Sequence, residues 1–220
     1  MRSGGFGGAA GLAAWLSAEG VDVLADATHP FASRISANAA AGAHTAGIPL
    51  VTLRRPAWTP RPGDRWTEVP DMAAAAAALG PAPRRVFLAV GRQEVAAFRA
   101  APQHRYLVRS IEPVDPAALP DGAETLLARG PFAEADERAL LAAHGIEALV
   151  AKNRGGASTS AKIAAARALG LPVVMVARPG GPEAAPTIEA ALSEIAQHLD
   201  RHLVQNRDRH GATPAAARGE

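Results

Sequence analysis

Apolar runs alternate with helical stretches along this chain. Residues 8–19 have helical spacing, 21–28 centre on the strand-like run Val21-Asp22-Val23-Leu24-Ala25, 30–46 return to helix, and Pro49-Leu50-Val51-Thr52-Leu53 reads as a second strand. After a proline-rich interruption come helix 71–79, strand 86–90, helix 93–100, strands 105–111 and 125–128, and helix 133–144. Strand 148–152, helix 160–169, strand 173–176 and helix 187–203 complete the series. Strands separated by helices predict right-handed βαβ units and a parallel sheet, an α/β fold. Residues 54–63, with Pro56, Pro60 and Pro62, predict a linker between a partial N-terminal domain over 1–60 and a C-terminal domain over 64–203. The charged, aperiodic stretch 204–220 predicts a disordered tail. Two strands alone cannot bury both faces, so the first domain is expected to expose apolar faces of strand 21–28 and helix 30–46.

Composition narrows the function class. The 220 residues are 48% hydrophobic, enough for a sizeable core, and only 4% aromatic. Zero cysteines exclude disulfides, thiolate metal sites and a Cys nucleophile. His198 and His202 have i, i+4 spacing but no evident acidic third ligand, so no metal is expected. No run approaches the roughly 20 apolar residues of a membrane span, and no basic run is interleaved with aromatics. The expectation is a cytoplasmic protein without nucleic-acid or membrane partners, a monomer or weak homodimer.

Chemistry concentrates at two strand-to-helix junctions, where open α/β sheets place their ligands. The first is Asp26-Ala27-Thr28-His29-Pro30-Phe31, leading into a helix with Arg34; the second is Lys152-Asn153-Arg154-Gly155-Gly156-Ala157-Ser158-Thr159-Ser160-Ala161-Lys162. With Thr159 as helix cap, Lys162 would hold the third helical position, where a glutamate normally closes a capping box. A cation there opposes the helix dipole unless an anion sits at the helix start, held by free amides, the hydroxyls of Ser158 and Thr159, and Lys162 itself. Gly155 and Gly156 would let backbone approach that anion closely.

These two junctions and the turn Arg54-Arg55-Pro56-Ala57-Trp58, together with the ending 164–179, resemble the precorrin-6A reductase (cobalt-precorrin-6A reductase) family of cobalamin biosynthesis. The resemblance runs from about Gly4 to about Leu203 and implies two Rossmann-like parallel-sheet domains with the site between them. It further implies NADPH-dependent reduction of one double bond of the precorrin macrocycle, an anionic tetrapyrrole. Members of that family open with a strand and a Gly-Gly-Thr-type loop. Here Gly4-Gly5-Phe6-Gly7-Gly8 has no strand before it, so the first domain reads as N-terminally incomplete, and weak or no NADPH binding is expected of the chain as written. The alternative is a tetrapyrrole-binding protein that has lost hydride transfer with its nucleotide loop.

Beside the resemblance, the residues make their own case. Hydride transfer needs no protein nucleophile, only positioning, charge balance and exclusion of water. A macrocycle with acetate and propionate arms calls for cations at strand ends, and Arg34, Arg54, Arg92, Arg109, Lys152, Arg154 and Arg178 all fall there. His29 is the candidate for proton handling, by donating a proton or by binding a carboxylate, and Asp26 is its candidate partner. Thr28, Arg34, Arg54, Lys152, Asn153, Gly155, Gly156, Ser158, Thr159 and Lys162 are the candidate substrate or cofactor ligands.

Overall fold

The computed structural model describes the backbone of residues 4–156, 159–181 and 183–211, with side chains through His202. Contacts divide the chain into two compact units, Met1–Arg55 with Gly181–Glu220, and Pro56–Gly180. The first unit contains α1 (Gly8–Ala18), β1 (Leu24–Asp26), α2 (Ser33–Ala46), β2 (Leu50–Thr52) and α6 (Ile188–Gly211). Gly47 closes α2 in the left-handed conformation, φ 69°, with its amide returned to the helix carbonyls. The strands pair in parallel, Leu24 opposite Leu50 and Asp26 opposite Thr52.

Helices pack on both faces of this small sheet, which was not expected, while Ala25 of β1 and Ile35 of α2 do remain exposed. Leu12 and Leu16 of α1 and Ala39 of α2 pack with Leu24 and Leu50 on one side. Ala191 and Ile195 of α6 pack with Val51, Val23 and Leu53 on the other. The domain boundary at 64–203 is corrected by the same contacts. Ala185 hydrogen-bonds the edge of β2, its amide to Thr52 at 2.8 Å and its carbonyl to the Arg54 amide at 2.9 Å, and so returns α6 to the first unit. A terminal helix contributes its apolar face to a sheet that lacks cover, whatever its distance in sequence. The helix continues to Gly211, into the stretch expected to be disordered; residues 212–220 lie outside the described residues.

The second unit carries β3 (Arg65–Val69), α3 (Met72–Ala78), β4 (Arg85–Ala89), β5 (Arg105–Ser110) and β6 (Glu124–Leu127), then α4 (Glu134–Ala143), β7 (Ala148–Lys152), α5 (Ala161–Ala168) and β8 (Pro172–Val176). Residues Arg92–Ala100, expected as α-helix, form a 3-10 helix, and a short second one spans Pro116–Ala118. The six strands are parallel in the order β3-β8-β7-β4-β5-β6. Strands β4 and β7 are apolar and buried on both faces, as an interior parallel sheet requires. From β4 the chain proceeds outward through β5 and β6, then returns to β7 and β8, so the order reverses between β4 and β7. That reversal is where a doubly wound sheet opens a crevice at its carboxyl edge.

Helices α1 and α2 approach closely because Gly42 has no side chain: a Cβ there would lie 3.0 Å from Leu12 Cδ2 and 3.3 Å from the Ala9 carbonyl oxygen. Gly42→Val should lower unfolding stability by about 1–3 kcal/mol through overpacking. Equilibrium urea unfolding followed by circular dichroism measures it, and an unchanged midpoint would show that the helices can separate without loss.

Candidate active site

In the first unit, the junction after β1 is held by its own polar groups. Asp26 is buried; its Oδ1 accepts the Thr28 amide at 3.0 Å, and the Thr28 and Ser36 hydroxyls lie 3.1 Å apart. Burial pushes the Asp26 carboxyl up, but hydrogen bonds from Ser36 and Thr28 and the charge of Arg54 outweigh it and hold it below the usual carboxylate range. Asp26 is therefore an ionised acceptor that fixes the turn. His29 is exposed, and its Nδ1 accepts the Phe31 amide at 3.2 Å. Arg34 is exposed on α2, whereas Arg54 sits within electrostatic reach of Asp26. This junction thus brings Asp26, Thr28, His29 and Arg54 together and leaves Arg34 outward.

The second junction follows β7 and contains two kinds of residue. Asn153, Gly155 and Gly156 hold chain to chain. The Asn153 carboxamide accepts the Trp58 amide at 2.8 Å and donates to the Trp58 carbonyl at 2.9 Å, and the Gly156 carbonyl accepts Trp58 Nε1 at 2.8 Å. Gly155 has φ +68°, and a Cβ would meet the Pro56 carbonyl oxygen at 2.0 Å, so only glycine fits. Ser158 lies outside the described residues. The capping expectation needs correction: Ser160 is the N-cap of α5, Thr159 Oγ1 turns back toward the Gly155 carbonyl at 3.5 Å, and Lys162 is the second helical residue.

The other kind is cationic. At the carboxyl end of β7, buried Lys152 donates to Glu94 Oε1 at 2.5 Å, and Glu94 Oε2 accepts the Gly91 amide at 2.6 Å. This chain of contacts spans the reversal from β7 to β4. Burial pushes Lys152 down and Glu94 draws it back up. A cavity of about 790 Å³ opens beside them over the carboxyl ends of β4, β5 and β6. Arg109 and Glu137 form a two-point pair in its wall, with Nη2 to Oε2 at 2.9 Å. The Arg109 guanidinium also lies 4.0 Å from the Phe132 ring centre and 4.9 Å from that of Phe87.

Arg154 and Lys162 line the same cavity without such a match. The Arg154 Nε is buried and has no hydrogen-bond partner. Burial works against its charge, Glu94 favours it and Arg109 opposes it, yet a guanidinium stays protonated. Lys162 is 6% exposed, donates to the Thr159 carbonyl at 2.6 Å, and lies 5.3 Å from the Trp58 ring centre. Burial, with Arg154 and Arg109 nearby, pushes it down to about 7, against a smaller upward pull from Glu137.

Sequence reasoning placed Arg92, Arg109 and Arg154 among seven strand-end cations but missed Glu94, Glu137, Arg129 and Phe132, all of which line the cavity or touch its walls. Glu94 had a signal, standing three residues after Gly91 at a helix start. Glu137 looked like one more acid in the first turn of α4, beside Glu134 and Asp136, yet it is 2% exposed.

Together these features define an open α/β protein with a cation-rich cavity at the order reversal of its parallel sheet. The chain belongs to the precorrin-6x reductase family, whose profile, described as CbiJ/CobK, matches residues 1–198. It is 55% identical over 202 residues to the precorrin-6A reductase of Sinorhizobium sp, covering 90% of this chain and 77% of that protein. The solved structure of a CobK precorrin-6A reductase matches with a TM-score of 0.84 at 50% identity, over 90% of this chain and 79% of the other. The cobalt-precorrin-6A reductase of Synechocystis is 32% identical, over 86% of this chain and 75% of that one.

Two outcomes are expected here. Glu137→Ala leaves the Arg109 charge buried without its partner and should cost about 3–5 kcal/mol in urea unfolding; a loss below about 1 kcal/mol would mean that the pair contributes little. Lys162→Met removes a buried amine. Below pH about 7 both folded and unfolded wild type carry the proton, and the full burial cost is felt. Between about 7 and 10.5 the unfolded chain binds more protons than the folded one, so wild-type stability rises with pH. The mutant should therefore be steadier by a few kcal/mol near neutrality and lose that lead toward pH 10.5, the ordinary lysine value. Parallel denaturation curves across pH measure the gap, and a constant gap would show that Lys162 stays charged.

Proposed function

We propose that the chain is an NADPH-dependent reductase of the precorrin-6A macrocycle in cobalamin biosynthesis. The observation that carries the reading is the pairing of Arg154, with its buried unpartnered Nε, and Lys162 in one cavity of about 790 Å³ at the sheet's order reversal. Both reactants of such a reduction are polyanions, one through carboxylate arms and the other through phosphates. An unmatched guanidinium beside an amine that can carry a proton suits either. The higher identity to precorrin-6A reductases than to the cobalt-precorrin enzyme favours the cobalt-free ring.

NADPH fits the donor set present: Arg154 and Lys162 would hold its phosphate groups, and the nicotinamide supplies the hydride when bound. The chain's own residues do the rest. Ile111, Pro131 and Phe132 give the cavity an apolar wall against which a flat conjugated ring can lie. Arg109, fixed by Glu137 and by two phenyl rings, keeps a rigid guanidinium there without rotamer loss at binding. Arg154 and Lys162 neutralise the arriving charge, and Lys162, buried in its corner, meets it where little water competes, which strengthens the contact. In this reading His29, exposed after β1, handles the proton that must follow the hydride, while ionised Asp26 fixes its turn.

Anaerobic incubation of the chain with NADPH and precorrin-6A tests the proposal. Loss of NADPH absorbance together with a change in the macrocycle spectrum is expected, and macrocycle binding with NADPH left intact would overturn hydride transfer. In the active protein, Arg154→Gln should raise KM for one of the two reactants by roughly tenfold or more while leaving thermal stability within about 1 kcal/mol. Unchanged KM for both would remove Arg154 from the site.

A further inference from the structure

The corner of the cavity formed by Arg154 and Lys162 has more positive groups than its carboxylates can match. Among the described residues, three charged groups act on Lys162. Arg154, from the segment after β7, and Arg109, from β5, oppose its charge, and Glu137 of α4 favours it. Glu137 is already engaged by Arg109 at both oxygens. Glu94, the acid that Arg154 feels, already holds Lys152 and the Gly91 amide. Among the described residues, no carboxylate is hydrogen-bonded to Lys162 Nζ or to the Arg154 side chain. The Lys162 amine has one acceptor, the Thr159 carbonyl, against the three donors of an ammonium.

A buried ammonium without a counter-ion is disfavoured, so the ligand-free corner holds much of Lys162 as neutral amine around neutral pH. An oxyanion that enters beside the Arg154 Nε brings the missing counter-charge. We infer that the Arg154–Lys162 corner binds an oxyanion and one proton together, the proton passing from solvent to Lys162 Nζ as the anion enters. One N–H bond forms on Nζ, the solvent buffer loses one proton, and no other bond changes. The inference rests on the reading of this cavity as the place of an anionic reactant. It adds a regulation of that place: affinity for the reactant falls as pH rises, even where the reactant itself does not titrate.

Sulfate and benzene-1,3,5-tricarboxylate serve as probes, because both are fully ionised near and above neutral pH. Each is titrated calorimetrically into the whole chain from about pH 6.5 to about pH 9, in buffers of low and high ionisation enthalpy. Wild-type affinity should fall by up to about tenfold per pH unit above neutrality, with proton uptake approaching one per anion near pH 8. Lys162→Met should bind weakly at every pH without uptake, and Lys162→Arg should bind with flat pH dependence and no uptake. Arg154→Gln should bind roughly tenfold more weakly and keep an uptake, displaced to higher pH because a charge that opposes Lys162 is gone. A flat wild-type profile, uptake that survives in Lys162→Met, or no binding of either anion at about pH 6.5 would each overturn the inference; the wild-type profile alone decides if a variant does not fold. These titrations use neither macrocycle nor dinucleotide, so a failed reductase assay leaves them standing, and a flat profile leaves the reductase reading standing.

Discussion

Lys152 closes the most buried strand of the large sheet with a charge, and the contact it makes with Glu94 organises everything around it. Strand β7 is apolar until that residue and buried throughout, so its ammonium emerges into protein and not into water. Glu94 comes from the opposite side of the order reversal and satisfies the lysine and the Gly91 amide at once. Without it, the turn after β4 would hold an unmatched amide, and Lys152 would lose its carboxylate. With it, the one acid within reach is committed, and Arg154, which lines the cavity, keeps a buried Nε without a partner. The cationic character of the cavity is thus a remainder: five cations and two acids line it, and Glu137 and Glu112 are each tied to an arginine already.

The same logic separates residues that hold the loop from residues that face a ligand. Asn153, Gly155 and Gly156 have the residue types of a phosphate cradle, but their polar groups and space go to the Pro56–Trp58 segment. Burying a carboxamide with both ends paired to one residue's backbone fixes the chain at Asn153. That anchor sets the position of its neighbour Arg154.

What could be read from the sequence follows from which forces are local. Strands β4, β7 and β8 were evident because continuous apolar runs can only be interior parallel strands. Strand β3 was missed because Arg65, Thr67 and Glu68 are exposed on an edge, where nothing in the pattern separates strand from loop. The 3-10 geometry of Arg92–Ala100 was illegible for the same reason that its position was legible, since both helix types share the amphipathic spacing. The home of α6 could not be read, because only the bare face of β2 decides it. In the site, Lys152, Thr159 and Lys162 were found through a run of polar residues after a strand. The acids that act on them, Glu94 and Glu137, stand 58 to 68 and 15 to 25 residues earlier in the chain, with no motif to join them.

The indole of Trp58 gives the cavity a property unrelated to binding strength. Its ring lies 5.3 Å from Lys162 Nζ, and its nitrogen is anchored on the Gly156 carbonyl, so the ring cannot swing away when the amine gains charge. The chain has three tryptophans and one tyrosine, and burial pushes that tyrosine, Tyr106, up to about 12, so it stays silent across the range where Lys162 changes state. A fixed indole beside an amine that switches between neutral and positive is an optical probe, because a nearby charge shifts the energy of the excited ring dipole. A change in the protonation of Lys162 therefore shifts the emission of Trp58, on top of that of Trp15 and Trp66.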